Sequence, residues 1–357
     1  MDQLKNVFSQ LQNTFRPCED DSFAFSLKNI QNLPIRKENF QVISSSTLQK
    51  SVLAVDSGSS EIIATPAWSL YYLRVCGVVF NGVKTKLLPR LESYVLISSS
   101  ANQEEGKSVS FFNNHSIFSF SKEECKVNCS ETNSFENKIF ENKQLENKSS
   151  EQKMDTISFF RRCVEIRYAS LYLSALSEGD IILLDGTLQT TNAFEEMYLE
   201  KLFDSAKQNQ IIVGSIAKSC TLLTRSGKGV LSVLGQISPK EAWIYFPCVI
   251  AESVDHFAHI FFAKLHTQSS YIFRIELHGA SEKFADSFFS TISSLAKDPV
   301  FLGYPYVLIE ADMFARVTYS ETELLRYDCM RQSGKDWADI LSASRSITAH
   351  SVLDSIH

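Results

Sequence analysis

Residues 51–60, SVLAVDSGSS, bring an apolar run to an abrupt stop at a carboxylate. Val52, Leu53, Ala54 and Val55 read as a buried strand closed by Asp56, and Ser57-Gly58-Ser59-Ser60 reads as a flexible turn. The arrangement recurs in residues 180–189, DIILLDGTLQ, where Ile181 to Leu184 lead into Asp185, Gly186 and Thr187. An acid at the carboxyl end of a buried strand stands where open α/β sheets collect their active sites. Neighbouring strands would bring Asp56 and Asp185 together. Two close carboxylates repel until one takes up a proton or a cation neutralises them. Hard oxygen ligands of this type suit magnesium or manganese.

Outward from Asp56, SLYYLRVCGVVF (69–80) reads as a second strand. KTKLLPRLESYVLIS (84–98) reads as a third, interrupted by Pro89. Residues 98–153 are dominated by Ser, Asn, Glu and Lys and repeat FENK, FENK, LENK at 135, 140 and 145. Such a composition cannot bury enough apolar area to offset its ordering entropy, so the segment is expected to be a mobile insertion. Ile157, Phe160, Val164, Tyr168, Leu171 and Ala175 then recur at helical spacing, and Gly179 ends the helix just before the Asp185 strand. Further strands are expected at 210–217, 241–250, 259–265 and 271–277, and helices at 281–297 and from Tyr306 onward. Strands and helices mix throughout, which gives an α/β or α+β class with a mixed sheet. The expected organisation is an N-terminal helical segment (1–45), a main domain (46–320) carrying the insertion, and a weakly patterned tail (321–357).

The 357 residues are 44% hydrophobic, ample for a buried core, and 26 of them are Phe. A formal net charge of -6 excludes global electrostatic steering toward nucleic acid, so any DNA contact needs a local basic surface. The 8 cysteines follow no framework spacing. With no signal peptide or membrane span apparent, the expectation is a reduced, cytoplasmic protein. Cys125 and Cys129 lack a second ligand pair at zinc spacing. His256, His259, His266 and His278 are ligands by type, but they lie beside apolar strand residues and read as structural histidines.

Two more acids border apolar stripes. Glu165 lies next to Val164 on the long helix, either as a third ligand or as a surface acid paired with Arg161. Asp312 follows the face formed by Leu308, Ala311 and Ala315. An acid in that place needs a neutralising partner. Four such acids would suit a two-metal centre, with ions about 3.5–4 Å apart, for phosphodiester hydrolysis. DSGSS and DGT also fit the phosphate loops of an actin-like ATPase. The glycine-rich second loop and the adenosine loop that this reading requires are missing, and so is a Walker-type loop.

Five blocks in order resemble the NurA nuclease family: VLAVDSGSSEIIATPAWSLYYLRVCGVVF, RRCVEIRYASLYLSALSEGDIILLDGTL, IIVGSIAKSCTLL, IFFAKLHTQSSYIFRIEL and GYPYVLIEADMFARV. The resemblance covers roughly 50–320 without the insertion. It implies an RNase H-like core and a manganese-dependent nuclease, with magnesium also admissible. It implies 5′-to-3′ degradation of single- and double-stranded DNA ends and cutting of single-stranded DNA. It implies a homodimer that docks on the hexameric HerA translocase in DNA end resection. By position, Asp56, Glu165 and Asp185 take the metal-binding acids and Tyr304 the active-site tyrosine. Asp312 stands where a relative carries a metal-binding His, and Ser57 stands where the family usually has Gly. With the resemblance in hand, Lys218 is expected to meet the scissile phosphate. Lys264 and Arg274, on successive strands of one hairpin, are expected to meet DNA or to belong to an ordinary polar sheet face. Tyr306 is expected to pack. The competing reading is a catalytically weak DNA clamp for the translocase.

Overall fold

A computed structural model describes residues 4–5, 7–8, 21–25, 30–44, 50–99, 107–113, 115–121, 124–125, 148–190, 193–251 and 258–344. Its strands are β1 (Ile30–Asn32), β2 (Phe40–Val42), β3 (Val52–Ala64), β4 (Trp68–Phe80), β5 (Thr85–Leu87), β6 (Leu91–Ser99), β7 (Lys107–Phe112), β8 (Ile181–Asp185), β9 (Ile212–Ala217), β10 (Trp243–Tyr245), β11 (Val249–Ala251), β12 (Ala258–Lys264) and β13 (Phe273–His278). The α-helices are α1 (Lys148–Leu171), α2 (Ala193–Gln208), α3 (Val230–Ile237), α4 (Ala285–Ser294), α5 (Tyr306–Ala315) and α6 (Tyr319–Ser333). Among the described residues, no helix is long and apolar enough to cross a membrane.

One mixed sheet runs β2-β10-β12-β13-β9-β8-β3-β4-β6-β7, with β5 on β4. Strands β3, β4 and β6 form an antiparallel meander; β8 lies parallel to β3 and β9 parallel to β8. A three-strand meander followed by two parallel strands on the far side of its first strand is the RNase H-like arrangement. The pleat explains why β3 and β8 read as continuous apolar runs. Leu53, Val55, Ile182 and Leu184 face α1 and α2, whereas Val52, Ala54, Ile181 and Leu183 face α4 and α5. A strand buried on both faces shows no polar alternation.

β3 does not stop at Asp56. The expected turn Ser57–Ser60 is strand, paired residue by residue with Val75 to Tyr72 of β4. That pairing removes the loop an actin-like phosphate site would need. What ends at the acid is the neighbour: β8 pairs with β3 only from Val52↔Ile181 to Val55↔Leu184. The expected mobile insertion is likewise reduced. β7 extends the sheet, and Val109, Ile117 and Phe118 are buried against α1. The FENK repeats lie outside the described residues. Among the helices, α2, α3 and α6 had no counterpart in the sequence pattern. β10 and β11 share one expected strand, divided at the cis bond Phe246-Pro247.

The segments at either end of the main domain also join the sheet. β2 pairs with β10, and Arg326 of α6 donates its Nε–H to the Ile62 carbonyl of β3 at 2.9 Å.

Candidate active site

Strand registry brings the first two acids together. Asp56 and Asp185 each stand one step beyond the pair Val55↔Leu184. Asp185 is opposite Ile216 of β9, and Lys218 lies two residues further on the same side. Gly186 carries the chain away from β8 at φ 89°, a left-handed conformation that favours glycine. Its N–H donates to Asp185 Oδ1 at 3.0 Å. α5 covers this face and adds Asp312. Lys218 Nζ lies 2.8 Å from Asp185 Oδ2, 3.3 Å from Asp312 Oδ1 and 3.9 Å from Asp56 Oδ2. One ammonium is shared by three carboxylates from β3, β8 and α5.

Glu165 comes from α1, on the opposite face of the sheet. It is buried, not the surface partner of Arg161. The Ser57 hydroxyl donates to its Oε1 at 2.6 Å, and Arg162 Nη1 lies 3.6 Å from its Oε2. Arg161 instead donates to the Ser57 hydroxyl and carbonyl. Ser57 therefore causes no displacement: its N–H donates to Asp56 Oδ1 at 2.7 Å while its side chain, on the next face of the pleat, reaches Glu165. Arg162 was not picked out by sequence. It donates to the carbonyls of Asp185 and Thr187 at 3.0 and 2.6 Å and faces Glu195 at 3.5 Å, tying α1 to the end of β8. Its position off the apolar stripe gave no sequence signal, because solvated arginines on a helix look the same.

Burial, followed by the charges of Glu165 and Asp185, pushes the Asp56 carboxyl up to about 7 against the pull of Lys218. Burial also raises Glu165, although Arg162, Ser57 and Arg161 oppose it. Burial works against the Lys218 ammonium, yet Asp185, Asp56 and Asp312 hold its pKa above the ordinary value. Asp312 is held low despite partial burial, by Arg316 and Lys218. The centre is thus short of positive charge on its β3 side.

Tyr304 is buried beside the cluster, its ring centroid 6.0 Å from Lys218 Nζ. Its hydroxyl faces Asp185 without completing a well-formed hydrogen bond among the described residues, and burial plus the three aspartates push its pKa up.

Lys264 and Arg274 do not join the cluster. Arg274 is buried, lies 2.5 Å from Glu276 and sits over the Phe25 ring. Lys264 donates to the Lys240 carbonyl at 3.1 Å. Tyr306 packs edge-on against Phe80, as expected of it. His278 stacks on Phe203 with centroids 4.0 Å apart, His259 pairs with Glu282 at 3.2 Å, and His266 accepts from the Gln268 N–H. His256 and Cys129 lie outside the described residues.

Among the described residues, no three His, Cys, Asp or Glu side chains converge closely enough to form a ready-made metal cage. The donor set nevertheless fits a divalent ion. It is all oxygen, it already gathers round one cation, and the Tyr304 hydroxyl beside it is an orphaned buried polar atom.

A family model described as the NurA domain matches residues 50–317. The NurA nuclease from Sulfolobus solfataricus is similar in structure, with TM-score 0.54 and 12% identity over 94% of this chain and 97% of that one. Endonuclease V from Ciona intestinalis matches with TM-score 0.33 and 12% identity, over 76% of this chain and 86% of its own. An A. aeolicus Argonaute matches with TM-score 0.32 and 11% identity, over 74% of this chain and 28% of its own. Comparison with curated proteins gives no match.

Proposed function

The chain belongs to the NurA family, and on that premise we propose that it is a metal-dependent DNA nuclease. The observation that carries this reading is the gathering of Asp56, Asp185 and Asp312 round one cationic group at the end of β8. In this reading Asp56, Glu165, Asp185 and Asp312 hold manganese or magnesium. Bound there, divalent ions lower the pKa of an attacking water and offset charge on the departing oxygen.

The protein's own groups do the rest. Lys218, which lies among the three aspartates, would meet the phosphate once metal held those carboxylates, and its ammonium would offset developing negative charge there. Tyr304, whose hydroxyl faces Asp185, orients water; its ring is buried and so is not open to stack on a base. Ser57 and Arg162 oppose the burial that raises the Glu165 pKa and hold its carboxylate toward the centre. Of the hairpin pair, Lys264 has the half-exposed head that a phosphate can reach, whereas Arg274 is held by Glu276.

The finer reading follows the family resemblance. It comprises 5′-to-3′ digestion of single- and double-stranded ends, cutting of single-stranded DNA, and action as a homodimer with a HerA-type translocase in end resection. The N- and C-terminal segments are then parts of one nuclease unit, because β2 and α6 pack on its sheet.

End-labelled single-stranded and duplex DNA, with manganese, with magnesium and with EDTA, tests the proposal. Products are expected with metal only. Asp56→Ala and Asp185→Ala are expected to lose at least about 10³-fold in rate while still binding DNA. Binding without products in the wild-type chain would establish the clamp instead. Near-wild-type turnover in either variant would sink the site assignment.

A further inference from the structure

The sheet grips the far end of α5 with two groups that face each other. Gly58 of β3 and Arg74 of β4 are direct partners in the antiparallel ladder. A Cβ at Gly58 would stand 2.2 Å from the Ala315 carbonyl oxygen, so here backbone meets backbone. Arg74 Nη1 donates to the carbonyl of the next residue, Arg316, at 3.0 Å. The same guanidinium holds Glu321 of α6 through both carboxylate oxygens and Glu92 of β6 at 2.8 Å. Arg74 is 2% exposed. A buried guanidinium is tolerated only when its hydrogen bonds are met, and these partners meet them.

None of the cleavage roles above uses Arg74. What it holds is the elbow between α5 and α6, and Asp312 lies one turn before that elbow. The Arg316 N–H donates to the Asp312 carbonyl at 2.9 Å, and the Arg316 guanidinium pairs with the Asp312 carboxylate. Ser60 and Thr322 share a hydroxyl bond of 2.7 Å that ties α6 to β3 beside the same elbow.

We propose that Arg74, acting with Glu321, is a positioning residue that fixes where the Asp312 carboxylate stands relative to Asp56 and Asp185. The role rests on the metal-centre reading. It predicts that loosening the clamp weakens metal binding even though neither residue touches the ion.

Manganese titration by calorimetry on the full chain, without DNA, tests this. Glu321→Gln is expected to fold, by circular dichroism, and to bind manganese about tenfold more weakly, the scale of lost outer-shell support. Arg74→Lys is expected to do the same, because an ammonium cannot keep the forked contacts. Val230→Ala, a core truncation in α3 away from the centre, is expected to lower the melting temperature and leave manganese affinity unchanged. The role is overturned by unchanged affinity in Glu321→Gln, by an equal loss in Val230→Ala, or by failure of Glu321→Gln to fold. A wild-type chain that takes up no manganese fails at the first titration; that result removes the metal reading and this role with it.

Discussion

Lys218 stands where a metal ion would be attracted, and the neighbouring Asp56 answers the crowding with a carboxyl pushed up to about 7 from 3.8. A group that binds its proton more tightly in the folded chain than in the unfolded one destabilises the fold as it ionises. His278, which burial holds down to about 4, works the other way, but Asp56 alone gives the metal-free chain a stability contribution that falls as pH rises from about 4 through about 7. Asp56→Asn should flatten that slope and stabilise the metal-free chain at pH 8, by about 1.4 kcal/mol for every tenfold difference in proton affinity that it abolishes. Denaturant midpoints across pH check it, and a wild-type slope retained in the variant would refute it. Gly58 carries a second residue-scale expectation. Gly58→Ala places a methyl group against the Ala315 carbonyl and should cost about 1–3 kcal/mol. Unchanged unfolding would show that the elbow yields freely.

The elements divide the work by face. β3 and β8 are buried on both sides, so their registry is fixed by two cores at once. That registry sets Asp56 beside Asp185. Leu183→Ala, a fully buried position in β8, is expected to cost about 2–5 kcal/mol and to be read in denaturant unfolding. A cost under about 1 kcal/mol would mean that the centre of the sheet is poorly packed. α1 and α5 approach from opposite faces, and both reach the acids because β8 stops at Asp185 while β3 runs on to Ala64. The helices were legible in part. Glu165 and Asp312 stood beside apolar stripes, which placed them near a core. α6 was not legible, because its sequence YSETELLRYDCMRQS has no sustained apolar face and its hold on the sheet comes from Arg74–Glu321, Ser60–Thr322 and Arg326. Such contacts leave no periodic trace.

Across the molecule as a whole, the insertion separates two parts of one sheet. Its beginning supplies β7 and buried aromatic packing against α1, and the rest has the composition of a spacer. Replacing residues 126–147 with a short Gly-Ser linker is expected to leave the thermal midpoint within about 2 °C, because their composition offers little apolar area to bury. A larger fall in differential scanning fluorimetry would assign that segment a place in the fold.

Composition and periodicity were enough to establish the mixed α/β class and the strands carrying Asp56 and Asp185, and resemblance of the blocks to known sequences supplied the family. These are local properties: apolar runs of strand length and helical periodicity need no knowledge of what packs against them. The assembled fold was needed to establish that SGSS continues a strand, that Ser57 and Arg162 hold Glu165, that Arg274 is locked to Glu276, and that Arg74 holds the end of α5. Each depends on a partner between 2 and 247 residues away in the chain. The distant pairings among these are set by how the faces of the sheet are covered, and residue spacing carries no record of them; the near ones share a face by spacing, but spacing does not say that burial locks them.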